Sequence, residues 1–339
     1  MRALIQKLLD ELNSLNDKRV TVFDIQLKEL NDGTLSLSGK LMDQDQLAAL
    51  ERTLSNHFPS LSLDTTPVQI LSREPRERVH VTTNLTGLFD QPTLHLPLSS
   101  ELCYGTEVEI LDEEEKWAFT RQKDGYLGWV FKSHLAEGFA SQATHLVLAP
   151  SCELRAQPDA RSEIITRLVS GTGVEVEEVR GEWAKVLANK TGWMPSFLLR
   201  VISELPKSIE EKRKTLIEDS ARMIGVPYLW GGTSGNGIDC SGLARLLHKW
   251  VGLDLPRDAD MQHRAAKPVE PPFEVGDLLF FRELGKERQV THMGISLGGW
   301  VLIHSSQGRN GVYIDNVQEQ ESLKEIFVSA GSFLRGDIE

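Results

Sequence analysis

Val226-Pro227-Tyr228-Leu229-Trp230-Gly231-Gly232, followed by Asp239-Cys240-Ser241-Gly242-Leu243, decides how the last third of this chain is read. Leu243, Leu246, Leu247 and Trp250 recur at helical spacing, so Cys240 stands at the amino terminus of an amphipathic helix. Unpaired backbone N–H groups and the helix dipole at such a position favour a thiolate, which is a better nucleophile than an ordinary thiol. Just upstream, Ile209, Leu216, Ile217, Ala221 and Ile224 mark another helix, with Ser208 as its N-cap and Glu211 three residues on.

A thiolate enzyme also needs an acid for the leaving amine. Gly276-Asp277-Leu278-Leu279-Phe280-Phe281 reads as a buried strand, followed by Thr291-His292-Met293-Gly294-Ile295 and Val301-Leu302-Ile303-His304-Ser305. Gly298-Gly299 between the last two is a hairpin signal. Histidines twelve positions apart across that turn fall almost opposite one another on one face. His292 then faces the sulfur and His304 orients its far ring nitrogen. The competing readings are that Cys240 is a buried small hydrophobe, or that Cys240, His292 and His304 are three ligands of zinc. The surrounding pattern weighs against the first, and the lack of a fourth ligand in matching context weighs against the second. No metal or cofactor is therefore expected. His248 and His263 read as helix-surface residues.

Working outward, the 339 residues are too many for one ordinary core and imply two to four domains. A 40% apolar and 25% charged composition is that of a globular protein. The net charge of -12 repels phosphate backbones, arguing against general nucleic-acid or anionic-membrane binding. Cys103, Cys152 and Cys240 form neither a disulfide framework nor a Cys-x-x-Cys pair, so a reducing compartment is expected. No apolar run reaches the length of a membrane span. The amino-terminal MRALIQKLLDELNSLNDKR, interrupted by Asp10 and Glu11, reads as an amphipathic helix rather than a signal peptide. The expected location is the cytoplasm.

Residues 1–75 read as a small α+β unit. Leu4, Leu8 and Leu12 give a helix; Val20 to Leu27 and Leu35 to Gly39 give strands around the turn Asn31-Asp32-Gly33-Thr34; Leu47, Leu50 and Leu54 give a second helix. This αββα pattern resembles small adaptor domains of bacterial envelope proteins and carries no evident chemistry. Between it and the last domain lies a repeat. Pro92, Gly105-Thr106, Val108 and Trp117 recur 66 positions later as Pro158, Gly171-Thr172, Val174 and Trp183, and each copy ends in Gly-Trp, at Gly128-Trp129 and Gly192-Trp193. Two turn-rich all-β units of this size, 76–138 and 141–203, resemble bacterial SH3-like barrels. Trp117, Trp183 and Trp193 are expected in the barrel cores. Tyr126, in the turn Lys123-Asp124-Gly125-Tyr126, is the candidate for exposed recognition.

Pro227-Tyr228, Trp230-Gly231-Gly232, Asp239-Cys240-Ser241-Gly242, Leu255-Pro256-Arg257, Gly276-Asp277, His292 and His304 together resemble the NlpC family of papain-like cysteine peptidases over about 208–335. The resemblance implies a papain-like catalytic domain at 208–339, preceded by the two barrels and the small domain. It implies Cys240 as nucleophile, His292 as base and His304 as orienting residue. Members with two barrels resemble γ-D-glutamyl-L-diamino acid endopeptidases that require a free amino-terminal L-alanine on the stem peptide. The expected substrate is a peptidoglycan-derived peptide, with a role in murein peptide recycling. The family's tyrosine at the position of Tyr228 reaches the reacting centre, where its hydroxyl would donate to the oxyanion. Asp239 and Ser241 resemble the family's substrate contacts, with helix capping as the other reading. Arg257 is a candidate to pair with a substrate carboxylate and Asp258 with its free ammonium, with structural salt bridges as the other, equally weighted reading. Tyr126 would block the groove, so that the L-alanyl ammonium ends there facing Asp258 and Asp90. Two departures stand out: Ala259 follows Asp258 where a serine is common, and Gln91 stands where related barrels carry an acid. The alternatives are an amidase or acyltransferase of the same fold, or a barrel-tethered hydrolase that remodels the wall.

Overall fold

The structure, a computed structural model, describes residues 1–31, 33–72, 78–95, 97–138, 142–283 and 290–335. Asp32, at the centre of the expected first turn, lies outside them. The chain divides into two compact units, one of Met1–Val79, Asp90–Pro92 and Glu107–Ser133, the other of His80–Phe89, Thr93–Thr106 and His134–Glu339.

The first unit begins with the helix Arg2–Ser14, the strands Phe23–Asn31 and Thr34–Leu41, and the helix Gln44–His57. The expected αββα order is extended by two short strands, Ser62–Asp64 and Val68–Ile70, both parallel to Thr34–Leu41. Period-two alternation turns Leu35 and Leu37 inward, where Ile5, Leu9, Leu50 and Leu54 close over them. The strands Glu107–Glu114, Trp117–Gln122 and Leu127–Phe131 follow as an antiparallel meander. Trp117 is buried and stacks on Phe131 with ring centroids 4.0 Å apart.

Tyr126 departs from its expected place. Gly125 adopts φ +86°, so the chain turns back one residue before Tyr126. The Tyr126 N–H donates to Asp124 Oδ1 and its carbonyl accepts from the Gln122 N–H. The side chain is only 4% exposed, and it is a core residue rather than a surface one. Asp90, directly after the strand Leu85–Phe89, is exposed.

In the second unit, residues 145–201 form a seven-stranded sheet in the order Ile164–Val169, Ser151–Arg155, Thr191–Pro195, Trp183–Leu187, Gly173–Arg180, His145–Val147, Leu199–Val201. Val147, Leu154, Leu168, Val174, Val186 and Met194 fill its core. Trp193 is buried as expected, with the Arg180 guanidinium 4.9 Å from its ring centroid, whereas Trp183 is only half-buried.

The last domain sets helices against an antiparallel sheet. Strand order is Lys267–Val269, Phe327–Ser332, Leu278–Phe281, His292–Gly298, Val301–Ser306, Gly311–Asn316. Leu278, Phe280, Met293, Ile295 and Ile303 face the helices, joining Leu216, Leu243, Leu247 and Trp250 in one core. Leu279, Phe281 and Leu302 face the other way, onto Phe273 and Val317. The helix Ile209–Ser220 starts with the expected capping box of Ser208 and Glu211. His248 is not on the surface: it is fully buried, with Nδ1 against the Ala244 carbonyl at 2.8 Å. Its helix, Cys240–Lys249, is covered on nearly every side, so even its polar positions point into protein. His263 is half-buried and bonds Ser329 Oγ at 2.9 Å.

Candidate active site

Cys240 is the first residue of the helix Cys240–Lys249, as its sequence context implied. Asp239 is the N-cap: its Oδ1 accepts from the Gly242 N–H at 2.7 Å. Its Oδ2 accepts from the Gly231 N–H at 3.0 Å, which folds the glycine-rich loop over the start of the helix. The glycines of that loop answer to close backbone approach. A Cβ on Gly231, itself at φ +78°, would fall 2.2 Å from the Leu98 carbonyl oxygen, and one on Gly242 would fall 2.3 Å from that of Gly232. Tyr228 is held beside the nucleophile by a parallel bridge to Ile238.

The backbone N–H groups of Met293 and Ser241 are near enough to the Cys240 sulfur to favour its ionised form. The sulfur therefore lies against the strand that carries His292. Burial, reinforced by the Asp239 carboxylate, pushes the thiol up to about 12 and overrides the helix dipole. Desolvation of a sulfur this deeply placed opposes the pull of the helix terminus toward a thiolate. Burial, reinforced by Cys240 and Asp239, also raises the Tyr228 phenol, which stays a donor.

His292 Nε2 and His304 Nδ1 are 2.8 Å apart. They share one face, but they are not opposite one another. The strands pair Ile295 with Ile303, and a bulge between Ser296 and Gly298 sets the register so that His304 lies beside Gly294. The lack of a side chain on Gly294 leaves room for the diagonal contact. A Cβ there would come 3.1 Å from that of His304. Ser305 Oγ donates to the Ile238 carbonyl at 2.6 Å and ties this strand to the nucleophile loop. Burial depresses both imidazoles, His292 to about 3, so both rest neutral.

Two residues absent from the sequence reading complete the line. His304 Nε2 is 2.9 Å from Asp315 Oδ2, and Arg309 Nη1 bonds Asp315 Oδ1 at 2.6 Å. With both His304 nitrogens engaged this way, the two rings are turned toward each other and not toward a shared metal. Among the described residues no cluster of three or more His, Cys, Asp or Glu side chains is placed to hold a metal ion.

Of the two readings of Arg257, the structure shows the structural salt bridge. Arg257 is 1% exposed and bonds Asp239 twice, Nη2 to Oδ2 at 2.7 Å and Nη1 to Oδ1 at 3.2 Å. It further bonds Ser241 Oγ and Ser100 Oγ, each at 3.0 Å. A guanidinium enclosed and paired in this way is a clamp on the N-cap, not a docking point for a substrate carboxylate. Ser241 lies within the same network and is 5% exposed. Asp258 is half-buried at the start of the helix Ala259–Ala265. The strand Leu98–Cys103 supplies more than Ser100. Glu101 Oε2 accepts from the Thr233 N–H at 2.8 Å, holding the loop before Cys240. Gln262, fully buried, donates to the Ser241 and Pro256 carbonyls.

A buried thiol opening a helix, packed on an antiparallel sheet that presents two linked imidazoles, defines a papain-like cysteine peptidase. The description "NlpC/P60 family" matches residues 225–330, "Bacterial SH3 domain" residues 151–199, and "Bacterial dipeptidyl-peptidase Sh3 domain" residues 88–135. The chain belongs to the NlpC/P60 family and carries two bacterial SH3 domains before the peptidase domain.

The chain is 27% identical to dipeptidyl-peptidase 6 of Lysinibacillus sphaericus over 257 residues, covering 70% of this chain and 91% of that protein. It is 27% identical to the gamma-D-glutamyl-L-lysine dipeptidyl-peptidase of Bacillus subtilis strain 168 over 240 residues, covering 68% of this chain and 79% of that one. The crystal structure of an NlpC/P60 family protein from Bacillus cereus superposes with a TM-score of 0.66 at 21% identity, covering 76% of this chain and all of that one, and shows the shared fold. Among the described residues no helix is long and apolar enough to cross a membrane.

Proposed function

We propose that this protein is a γ-D-glutamyl-diamino acid endopeptidase that acts on cell-wall stem peptides bearing a free amino-terminal L-alanine. The observation that carries the chemistry is the linked pair of His292 and His304 rings on strands that pack against the helix opened by Cys240. The named activity of the Bacillus subtilis relative supports the choice of bond, and two relatives named as dipeptidyl-peptidases support a free amino terminus.

His292 Nε2 is taken by His304, so Nδ1 is the nitrogen left for the thiol. Because Cys240 rests protonated, attack and proton transfer are coupled. The Sγ–H proton passes to His292 Nδ1 as the sulfur pair bonds to the γ-carbonyl carbon and the C=O π pair moves onto oxygen. The Cys240 N–H, at a helix position without an intrahelical acceptor, and the Tyr228 hydroxyl would bind that oxygen. Collapse re-forms the carbonyl and breaks the C–N bond, and the amine leaves with the proton from Nδ1. Water then cleaves the thioester, giving one proton to His292 and on to the thiol. Asp258 is the candidate partner for the L-alanyl ammonium, and we assign the enzyme to turnover of released peptides.

The test is mass-spectrometric product analysis with L-alanyl-γ-D-glutamyl-L-lysine and its diaminopimelate counterpart, each with a free or an acetylated amino terminus. Release of L-alanyl-D-glutamate from the free peptides alone is expected. Equal cleavage of the acetylated peptides, or of intact sacculi, contradicts the substrate assignment.

A further inference from the structure

The two histidines do not decide by themselves which nitrogen of His292 is bare. An imidazole pair can be wired in either direction, and only one direction leaves a lone pair for the thiol. The wiring is settled at the far end. A carboxylate only accepts, so Asp315 Oδ2 at 2.9 Å requires the proton of His304 on Nε2. His304 Nδ1 is then a lone pair, and the 2.8 Å contact requires His292 to donate from Nε2. His292 Nδ1 is left bare. Asp315 does not drift from this role, because Arg309 Nη1 holds Oδ1 at 2.6 Å while its guanidinium lies 4.1 Å from the Tyr313 ring centroid.

We propose that Asp315 is a positioning residue of this site, which fixes the tautomers of both histidines, and that Arg309 fixes the orientation of Asp315. The proposal rests on the reading of Cys240 and His292 as a nucleophile–base pair. It does not depend on which peptide is cleaved.

An amide at position 315 exposes the mechanism. In Asp315→Asn the Arg309 guanidinium, a pure donor, holds the amide oxygen, so the NH2 group faces His304 Nε2. That reverses both tautomers and places a proton on His292 Nδ1, where it blocks the thiol. The equivalent carboxylate-to-amide change in a serine-protease triad costs about 10⁴ in kcat through the wrong tautomer. Asp315→Ala leaves His304 free to choose. The near-isosteric variant is therefore the worse one, the opposite of what a packing role predicts.

The experiment uses the full chain with three variants, Asp315→Ala, Asp315→Asn and Asp315→Asn combined with Arg309→Ala. Iodoacetamide alkylation of Cys240, mapped by mass spectrometry, needs no substrate and so separates this proposal from the peptide assignment. Imidazole ¹⁵N shifts report the tautomers directly, and turnover is measured where a cleaved peptide is in hand. Asp315→Asn is expected to slow alkylation and kcat by about 100-fold or more with little change in KM, and Asp315→Ala by roughly tenfold. The double variant, in which the amide is free to flip, is expected to regain at least tenfold over Asp315→Asn. Asparagine performing as well as or better than alanine, no recovery in the double variant, or unchanged His292 tautomer signals in Asp315→Asn would each overturn the proposal.

Discussion

Replacing Arg257 by alanine isolates the contribution of the clamp around the nucleophile helix. The wild-type guanidinium is 1% exposed and makes two bonds to Asp239, one to Ser241 and one to Ser100. Its loss leaves the Asp239 carboxylate, 7% exposed, without its counter-charge, though still bonded to Gly231 and Gly242. Stranding one partner of a buried pair costs about 3–5 kcal/mol. The cost falls on the start of the helix Cys240–Lys249, so it should appear as local opening. Hydrogen exchange of the amides of Leu243 to Lys249 is expected to quicken by roughly 150- to 5,000-fold, the same energy expressed as an opening constant. Arg257→Lys keeps the charge but not the fork and should fall between. Because Asp239 raises the Cys240 thiol and Arg257 lowers it, alkylation of Cys240 should also slow in Arg257→Ala. An exchange increase below tenfold, with unchanged alkylation, would refute the clamp. So would equal effects of alanine and lysine.

Acid stability follows from His248, whose pKa burial lowers from 6.5 to about 4. The unfolded chain binds the extra proton first, so this contribution is whole above pH 6.5 and is lost as pH falls toward 4. Urea midpoints should drop across that window, and His248→Leu should flatten part of the drop; an equally steep drop in that variant would contradict the assignment. Glu101→Ala leaves the Thr233 N–H without its carboxylate acceptor and should lower stability by about 1–3 kcal/mol in urea unfolding. A loss under about 0.5 kcal/mol, within the range of ordinary surface changes, would remove this strand from the account of the site. Activity in the acid range is a further check. With His292 depressed to about 3, kcat/KM should persist well below pH 6, where an ordinary histidine would already be protonated. Loss of kcat/KM near pH 6.5 would contradict a buried neutral base.

Some of this was legible in the sequence for physical reasons. The helix opened by Cys240 announces itself through Leu243, Leu246, Leu247 and Trp250, and the hairpin through Gly298 and Gly299 at φ +118° and +61°. Periodicity fixes which face a side chain takes, so the two histidines were correctly put on one face. It does not fix register, and the bulge after Ser296 moved His304 from opposite His292 to diagonal. Partner choice was the harder problem. Nothing local says that Arg257 closes on Asp239 and Ser100 rather than on a ligand, since Ser100 lies 157 positions away. Asp315 sits in Gly311–Asn316, a strand whose alternation is readable, but its bond to His304 depends on the pairing with Val301–Ser306. Tyr126 was misplaced because Gly125 closes the turn one residue earlier than the run Lys123-Asp124-Gly125-Tyr126 suggests.

Turnover of L-alanyl-γ-D-glutamyl-L-lysine by Cys240→Ala, measured beside wild type, Cys103→Ser and Cys152→Ser, tests the central claim most directly. The account predicts that Cys240→Ala melts within about 2 °C of wild type, so that loss of activity is not loss of folding. It predicts no detectable product from that variant, while the other two cysteine variants retain cleavage. Cleavage by folded Cys240→Ala at a rate near wild type would contradict it.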